Sequence, residues 1–419
     1  MNPLHLPRLT LLLALAAGPL LAAASLVPDP DNGGIKLPDG FRAVVVADQL
    51  KPLRNLTVVP NGDLYAKTRQ AGIIALRDTN GDGKADDIQE FGEGGGTGIA
   101  HHNGYLYHST DDHVFRYKLT PGQLVPTGEP ERIVRDLPNR RQHSAKSFAF
   151  GADGQLYVEV GSPSNALGVP DRQLGAKGQD PTEFLKTHGG YWRFDPNKRD
   201  QTQADGFHFS TGHRHSTSIA LNPVSKKLFI AVHGRDGLNT VAPQFFSAED
   251  NAENPAEVFH ELTEGTDLGW PTTYWDPTAK QRKLNPEYGG DGKKLAEPGK
   301  YPDPLIAFPA HWSPMQLAFY TGSQFPEKYR GGAFLAFQGS WNRAPLPQRG
   351  YNVVYIPFNK DGMPTGSYEV FADGFSGTDN LSSPSDAKHR PNGVAIGPDG
   401  SLYISDSQAG RIWRIFYQK

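Results

Sequence analysis

Short apolar segments separated by turn sequences form the main pattern of the chain. Leu56–Val59 precedes the turn Pro60–Asp63, and an apolar and an aromatic residue, Leu64 and Tyr65, follow it. Asn-Gly and Asp-Gly pairs supply the positive φ angles that tight hairpins require. Related turns recur along the chain at residues 60–63, 102–104, 152–155, 222–227, 330–332 and 398–401.

Several of these copies are followed by a second pair of apolar segments. Examples are Gly72–Leu76, His113–Tyr117 and Gly410–Arg414. Two hairpins per copy make a four-stranded sheet, and six such sheets arranged radially make a propeller. The sequence therefore predicts an all-β fold, a six-bladed β-propeller of four-stranded antiparallel blades. We expect Phe41–Val46 to close the ring beside the last blade, which removes exposed sheet edges.

The composition agrees with this architecture. The 419 residues include 47 glycines and 35 prolines, which favours many short strands and turns over long helices. Length alone would allow two or three domains, but the repeat predicts one propeller domain over residues 25–419. The irregular spacing of the copies indicates loop insertions, the largest at about residues 240–315. A degenerate seventh or eighth blade in that segment stays open.

The N-terminus predicts the compartment. Residues 9–24 form an apolar run after Arg8, and Ala22–Ala24 places small residues before Ser25. This pattern is typical of a secretory signal peptide over residues 1–24; an uncleaved anchor is the alternative. No other apolar run is long enough to span a membrane. We therefore expect a secreted or periplasmic protein without a membrane span after signal cleavage.

Charge and cysteine content exclude several function classes. With 42 basic and 45 acidic side chains, the formal net charge is −3, which gives no sign of nucleic-acid binding. The chain has no cysteine. Disulfides, thiol catalysis, cysteine-ligated zinc, iron–sulfur clusters and covalently attached c-type haem are therefore excluded, as is a lipoprotein anchor.

Two groups of polar residues lie at predicted strand ends. His143 precedes the third-blade strand Phe148–Phe150, where an imidazole can act as a general base near neutral pH or simply lie on a surface loop. His213–Ser216 precedes the fourth blade, and His233–Asp236 follows one of its strands. Their basic and imidazole groups suit an anionic or carbonyl-bearing ligand. A histidine metal site and solvated loops are the alternatives.

A third group comes from the last two blades. Arg343, Arg390 and Asp406 lie near predicted strand ends. Arginines that converge from different blades would bind a polyanion, because guanidinium groups pair with carboxylates bidentately. Trp270 and Trp341 could stack on a planar ligand or a sugar ring, or pack within the blades.

The loop over residues 78–87 carries a separate pattern. Oxygen-bearing side chains at positions 1, 3, 5 and 9 and a glycine at position 6 match the first part of an EF-hand-type calcium loop. Gln89 stands where that loop has a bidentate Glu. A second calcium site and a loop of Asx turns are both open readings, and the candidate ligands are Asp78, Asn80, Asp82 and Asp86.

Seven motifs occur together in a fixed order. They are Gly95–Ala100, His143–Gly151, Val232–Asp236, Leu268–Pro271, Pro286–Gly292, Gly339–Arg343 and Arg390–Val394. Together they resemble the pyrroloquinoline-quinone-dependent sugar dehydrogenases, specifically the sorbosone-dehydrogenase-like branch, which is related to the soluble aldose and glucose dehydrogenases. The resemblance covers the whole mature chain, and the family's six-bladed propeller agrees with the repeat count.

The resemblance implies a mechanism. His143 would be the general base that takes the proton from the C1 hydroxyl of the sugar, while hydride passes from C1 to C5 of the quinone. Arg214 would sit over the negative charge that develops on the quinone oxygen. A calcium ion, bound by the backbone carbonyls of Gly234 and Arg235, would polarise the quinone carbonyl.

The resemblance also implies the surrounding contacts. Arg343 and Arg390 would pair with the carboxylates of the cofactor, and Asp406 would orient them. The remaining expected contacts are Asn342 and His215 with the cofactor, and Trp270 and Gln338 with the substrate.

Three positions depart from the family pattern. Gln338 stands where the branch usually has His, His215 where sugar-oxidising members commonly have Asn, and Lys146 where Arg is usual. The first two lie in the expected cofactor or substrate shell.

The sequence thus predicts a periplasmic quinoprotein dehydrogenase that uses calcium and oxidises an aldose or a related sugar at C1. Its electrons would pass to an external acceptor such as a soluble cytochrome or a quinone, and homodimers are common among relatives. Two other functions stay open: a calcium-dependent propeller lactonase or other hydrolase, and a non-catalytic propeller that binds a glycan or a protein.

Overall fold

Six four-stranded antiparallel sheets form a ring in the computed structural model, which describes residues 26–139 and 142–418. The predicted six-bladed β-propeller is confirmed. The first strands of neighbouring blades contact one another, so they lie innermost, around a central channel. The predicted signal peptide falls outside the described residues.

Each blade is built from strands that follow one another in the sequence, except that the first strand of the chain belongs to the last blade. This first strand is β1 (Phe41–Ala47). Blade one contains β2 (Leu53–Val58), β3 (Leu64–Thr68), β4 (Ile73–Arg77) and β5 (Asp87–Phe91). Blade two contains β6 (Ile99–His102), β7 (Tyr105–Ser109), β8 (Val114–Lys118) and β9 (Glu131–Val134).

Blades three and four each carry an inserted two-stranded hairpin. Blade three contains β10 (Phe148–Phe150), β11 (Leu156–Val160), β14 (Gly190–Phe194) and β15 (Phe207–Ser210), with the inserted hairpin β12 (Gly168–Val169) and β13 (Lys177–Gly178). Blade four contains β16 (Ser218–Leu221), β17 (Leu228–Val232), β18 (Glu257–Leu262) and β21 (Ile306–Phe308), with the inserted hairpin β19 (Thr273–Asp276) and β20 (Gln281–Leu284).

The last two blades lack such hairpins. Blade five contains β22 (Pro314–Phe319), β23 (Ala333–Phe337), β24 (Asn352–Ile356) and β25 (Glu369–Ala372). Blade six contains β26 (Pro391–Ile396), β27 (Leu402–Asp406), β28 (Ile412–Tyr417) and β1.

Helices in the described part of the chain are short and lie in loops. The α-helices are α1 (Thr182–Leu185), α2 (Leu238–Val241) and α3 (Ala248–Glu253). The 3-10 helices are Asn32–Gly34, Gln203–Asp205, Pro286–Tyr288, Glu327–Tyr329 and Pro384–Asp386. No helix among the described residues is long and apolar enough to cross a membrane.

Each of the six repeated turns connects the first and second strands of a blade. In blade two, His102 ends β6 and Tyr105 begins β7, so only Asn103 and Gly104 form the turn. Both residues have positive φ, 49° and 78°. An Asn-Gly pair adopts this conformation readily, and its twist matches that of the flanking strands. The local turn chemistry therefore favours the hairpin that joins the first two strands of this blade.

Strand β1 closes the ring as predicted. It pairs with β28 in antiparallel register, with Phe41 opposite Tyr417 and Val45 opposite Trp413. The Phe41 ring also makes edge-to-face contacts with Phe325 at 4.8 Å and Phe371 at 4.9 Å. These partners belong to blade five, so the closing strand connects two neighbouring blades.

We expect Phe41→Leu to lower the free energy of unfolding by about 1–2 kcal/mol, because leucine stays apolar but loses the aromatic edge-to-face contacts. Thermal or denaturant unfolding checks this. Arg42→Ala, at the exposed neighbouring position, is the matched control and should leave stability nearly unchanged. Equal stabilities of the two variants would contradict the closing role of β1.

The segment at about residues 240–315 is not a single insertion. It contains β18 and β21, which are the outer strands of blade four. The inserted elements are α2, α3 and the hairpin β19–β20. Their polar and proline-rich connections obscure the apolar periodicity of the two blade strands, which explains why the sequence pattern gives no separate signal for them.

Candidate active site

The central channel contains a cavity of about 580 Å³, lined by loops and strand ends of blades one to five. This volume lies in the range typical of small-molecule sites. Six of the residues predicted from the sequence line the cavity: His143, Arg214, His215, Gly234, Gln338 and Asn342.

His143 is oriented as a proton acceptor. Its Nδ1 lies 2.6 Å from the carbonyl oxygen of Ser162. Because a carbonyl only accepts hydrogen bonds, Nδ1 carries the proton and Nε2 keeps a free lone pair. Burial and the charge of Arg214 hold the pKa of His143 well below 6.5. The backbone φ of 51° is unusual for a residue with a side chain, and such conformations concentrate at functional sites.

Two further imidazole rings form a stack with this base. The His143 and His215 ring centroids are 5.0 Å apart, and those of His215 and His233 are 5.1 Å apart. His215 Nδ1 lies 3.1 Å from the buried Glu159 Oε1. Burial, with the charge of Arg214, lowers the pKa of His215 to about 3. The ring next to His143 is therefore neutral near pH 7 and does not add a positive charge.

Asp236 is the centre of the charged network. Its Oδ2 accepts hydrogen bonds from Arg172 Nη1 at 2.7 Å and from Arg214 Nη2 at 2.6 Å. Its Oδ1 accepts from Asn342 Nδ2 at 2.8 Å and lies 4.0 Å from His311 Nδ1. Burial raises the pKa of Asp236, but the charges of Arg214 and Arg172 outweigh it, so the pKa lies below its usual range. One carboxylate thus orients side chains from three loops.

Glu257 is a second carboxyl group in the cavity wall. It accepts hydrogen bonds from the amides of Gly234 at 2.7 Å and Ser313 at 3.3 Å. Burial raises the pKa of Glu257 to about 8, so this group is largely uncharged at pH 7.

The predicted calcium ligands are backbone carbonyls in the segment after β17. Neither the Gly234 nor the Arg235 carbonyl accepts a hydrogen bond from a described residue. The Arg235 side chain points elsewhere and forms a buried ion pair with Glu287. Gly234 lines the cavity, whereas Arg235 is buried and is not among the residues that line it.

Two of the predicted arginines are not among the residues that line the cavity. Arg343 donates to the Ala252 carbonyl at 2.6 Å and pairs with Glu253 at the end of α3. Arg390 donates to the main-chain carbonyls of Gln338 at 3.1 Å and Gly339 at 3.0 Å. Both guanidinium groups hold loops in place here.

Asp406 and Trp270 also form hydrogen bonds with residues outside the cavity lining. Asp406 accepts from His389 Nδ1 at 2.8 Å and from the backbone amide of Arg390 at 2.7 Å, so it contacts the main chain of that arginine. Trp270 is buried and donates through Nε1 to the Asn165 carbonyl at 2.8 Å.

Trp341, the other tryptophan considered from the sequence, is exposed and lines the cavity. Gln338 Nε2 donates to Ser407 Oγ at 2.7 Å.

Several charged residues that line the cavity were not predicted from the sequence. Arg54 lies in the innermost strand of blade one, between the buried Leu53 and Leu56. A charged residue within such a strand is a usable signal, because the inner strands face the channel. The other missed residues are Arg69, Asp111, Arg172 and Glu257.

The loop over residues 78–87 forms a series of Asx turns. Asp78 accepts from the amides of Gly81 at 2.7 Å and Gly83 at 2.8 Å, and Asn80 accepts from the amide of Asp82 at 2.9 Å. Asp86 accepts from the backbone and side chain of Thr79. Within residues 26–139 and 142–418, no group of three or more His, Asp or Glu side chains is arranged to hold a metal ion.

Solved structures with the same propeller include quinone-dependent sugar dehydrogenases. An AA12-family carbohydrate-active enzyme of Trichoderma reesei is 18% identical, with a TM-score of 0.75 and coverage of 92% of this chain and 97% of that one. The pyranose dehydrogenase PQQ domain of Coprinopsis cinerea is 19% identical, with a TM-score of 0.71 and coverage of 91% and 97%. The PQQ-bound aldose sugar dehydrogenase of Streptomyces coelicolor is 17% identical, with a TM-score of 0.56 and coverage of 91% and 99%.

Sequence comparison covers almost the full chain. An uncharacterized protein of Borreliella burgdorferi is 22% identical over 422 residues, which span 96% of this chain and 95% of that protein. The family model described as TrAA12-like matches residues 35–418. The chain belongs to the TrAA12-like family of propeller proteins, in agreement with the resemblance drawn from its motifs.

Proposed function

We propose that this protein is a secreted or periplasmic oxidoreductase that uses pyrroloquinoline quinone and calcium to oxidise an aldose or a related sugar at C1. The observation that carries the proposal is His143, a neutral imidazole whose free Nε2 lies in a cavity rich in guanidinium groups. The names of the solved structures with this fold support the cofactor and the reaction class.

The charges of the cavity fit a tricarboxylate cofactor. Four arginines line it: Arg54, Arg69, Arg172 and Arg214. They face three carboxyl groups, those of Asp111, Asp236 and Glu257. Because the pKa of Glu257 is about 8, the wall has an excess of positive charge at pH 7, which an anionic ligand would balance.

The polar atoms of the wall also fit the expected group. The carbonyl oxygens of Gly234 and Arg235, which accept no hydrogen bond from a described residue, would suit a hard cation such as calcium, which prefers oxygen ligands. Asn342 Oδ1 is buried without a hydrogen-bond partner and can accept one from a ligand. With Arg214 and His215, these residues would hold the cofactor.

The quinone, when bound, supplies a two-electron acceptor for hydride, and calcium makes it more electrophilic. The protein supplies the base. His143 Nε2 takes the proton of the sugar hydroxyl, and the Ser162 carbonyl holds the ring through Nδ1. Arg214, oriented by Asp236, places a positive charge beside the reacting atoms. The electrons would leave to an external acceptor.

The pH dependence of kcat/KM should reflect the lowered pKa of His143. A base works unprotonated, so activity is present above its pKa and is lost as the pH falls through it. Because burial and Arg214 hold this pKa well below 6.5, we expect activity to persist at pH 6 and to fall only at more acidic pH. An acid limb centred at or above 6.5 would contradict the assigned electrostatics.

A steady-state assay tests the proposed function. The purified mature protein is loaded with the quinone and calcium, and the reduction of an artificial dye is followed with a panel of aldoses. We expect reduction with at least one sugar and none without the quinone. Absence of dye reduction across the panel, with no thermal shift on adding the quinone, would overturn the proposal.

A further inference from the structure

We propose that a groove between blades one and two, separate from the central cavity, is a second ligand site that binds a neutral sugar ring. This outer groove has a volume of about 500 Å³ and shares no lining residue with the central cavity. Because it is a different site, the inference goes beyond the proposed function and does not depend on the quinone. The lining residues of the outer groove are Phe91–Glu93, His108, Phe115, Tyr117 and Pro126–Pro130.

Aromatic rings from both blades line the outer groove. The His108 ring centroid lies 5.5 Å from that of Phe115 and 5.5 Å from that of Tyr117, with interplanar angles of 21° and 13°. Phe91, at the end of β5, meets Tyr117 edge to face at 5.4 Å. Small-molecule sites are lined mostly by apolar and aromatic side chains, with a few polar groups that fix the ligand. The C–H groups of a sugar ring pack well on such a lining.

His108 contributes an unpartnered donor to this lining. The residue is 2% exposed, and burial and the charge of Lys67 hold its pKa well below 6.5. Nδ1 of His108 lies 3.4 Å from Lys67 Nζ, which also donates to the Gly94 carbonyl at 2.7 Å. Because an ammonium group only donates, Nδ1 accepts and the neutral ring carries its proton on Nε2. Nε2 has no hydrogen-bond partner among the described residues, and a ligand oxygen would supply the missing acceptor.

Two carboxylates complement this donor. Glu93 and Glu129 line the outer groove, are exposed, and form no hydrogen bond or ion pair with a described residue. Burial raises the pKa of Tyr117, and the charges of Glu129 and Glu93 raise it further, in agreement with their place beside this ring. The Tyr117 hydroxyl likewise has no hydrogen-bond partner among the described residues. The outer groove therefore offers acceptors for the hydroxyl groups of a ligand.

The charges favour a neutral ligand over an ion. The two carboxylates disfavour an anion. A cation would pair with them but would leave the His108 donor without an acceptor. It would also bring a second positive charge toward Lys67, which is mostly protonated at pH 7 although burial lowers its pKa to about 8. Sugar hydroxyls both donate and accept hydrogen bonds, so one sugar ring can satisfy the buried donor and the two carboxylates together.

Saturation-transfer NMR on the quinone-free protein tests the site with methyl β-D-glucoside, methyl α-D-mannoside and methyl β-D-galactoside. Their C1 carries a methoxy group in place of a hydroxyl, so they cannot be oxidised there. We expect wild type to bind at least one of them. Glu93→Gln and Glu129→Gln should each raise its Kd about tenfold, because a charge-assisted hydrogen bond becomes a neutral one. His108→Phe keeps a ring between Phe115 and Tyr117 but removes the donor, and should weaken binding similarly.

Glu183→Gln is the matched control, because that exposed carboxylate pairs with Lys186 of the same helix, α1; it should bind the glycoside as wild type does. The glutamates of the outer groove are also exposed, so their variants keep the test decisive if His108→Phe folds poorly. Binding of none of the three glycosides, or binding that the outer-groove variants leave unchanged, would overturn the inference.

A cationic probe separates the two ligand classes. Spermidine carries positive charges that would match the carboxylates of the outer groove. If spermidine binds, the same glutamine variants weaken it and no glycoside binds, the outer groove takes a cation and the inference is wrong. Because the quinone is absent from all these measurements, failure of the proposed function leaves their result unaffected.

Discussion

Replacing His143 with alanine is expected to lower turnover by about 10²–10⁴-fold, the usual contribution of a positioned general base. Quinone affinity should change little, because the predicted role of this residue is to remove a proton. The reason lies in the geometry: Nδ1 is fixed by the Ser162 carbonyl at 2.6 Å, so the free nitrogen Nε2 is the group that can accept the substrate proton.

Two controls make this result specific. Added imidazole should restore part of the turnover of His143→Ala, because it can occupy the space left by the ring and act as a base. Quinone titration of the same variant should give a Kd close to that of wild type. Turnover close to wild type in His143→Ala, or a loss explained entirely by weaker quinone binding, would remove His143 from the role of base.

The second large effect is expected at Asp236. Asp236→Ala leaves the guanidinium groups of Arg172 and Arg214 without their shared carboxylate, and it also removes the partner of Asn342 Nδ2. Breaking a buried charge pair by deleting one partner costs on the order of 3–5 kcal/mol of folding free energy. Turnover should fall as well, because Arg214 loses the group that orients it.

Chemical unfolding of the quinone-free protein measures the first effect. Asp200→Ala is a matched control, because that carboxylate pairs with Arg132 at the surface, where an ion pair contributes roughly 0–1 kcal/mol. If Asp236→Ala loses no more unfolding free energy than the control, the hydrogen bonds and ion pairs of Asp236 do not stabilise the cavity as described.

The propeller could be predicted from local sequence because its signals are local. A turn such as Asn103–Gly104 needs positive φ at both positions, and the sequence supplies residues that adopt it. The apolar character of Phe41–Val46, at the start of the fold, likewise indicated a strand that needs a partner. Strands β18 and β21 were not separated from the surrounding loops, because long polar connections interrupt blade four.

The cavity was predictable only in part. His143, Arg214 and His215 lie at strand ends that any propeller turns toward its channel, so position along the chain was enough to find them. The direction in which a long side chain points could not be predicted in this way. Arg343 follows a motif near the channel, yet its guanidinium group is bound by Glu253 of α3, ninety positions earlier in the sequence. Arg54 was missed because it precedes Leu56–Val59, the apolar segment from which the strand was predicted.

The most direct test of the account is a single turnover of the loaded protein without any added dye. The protein, saturated with quinone and calcium, is mixed with the aldose that performs best in the steady-state panel, and the absorbance of the bound quinone is followed. We predict a rapid change of that absorbance in wild type and a change slowed by about 10²–10⁴-fold in His143→Ala. A quinone absorbance that stays constant in wild type, although the quinone is bound, would contradict the account.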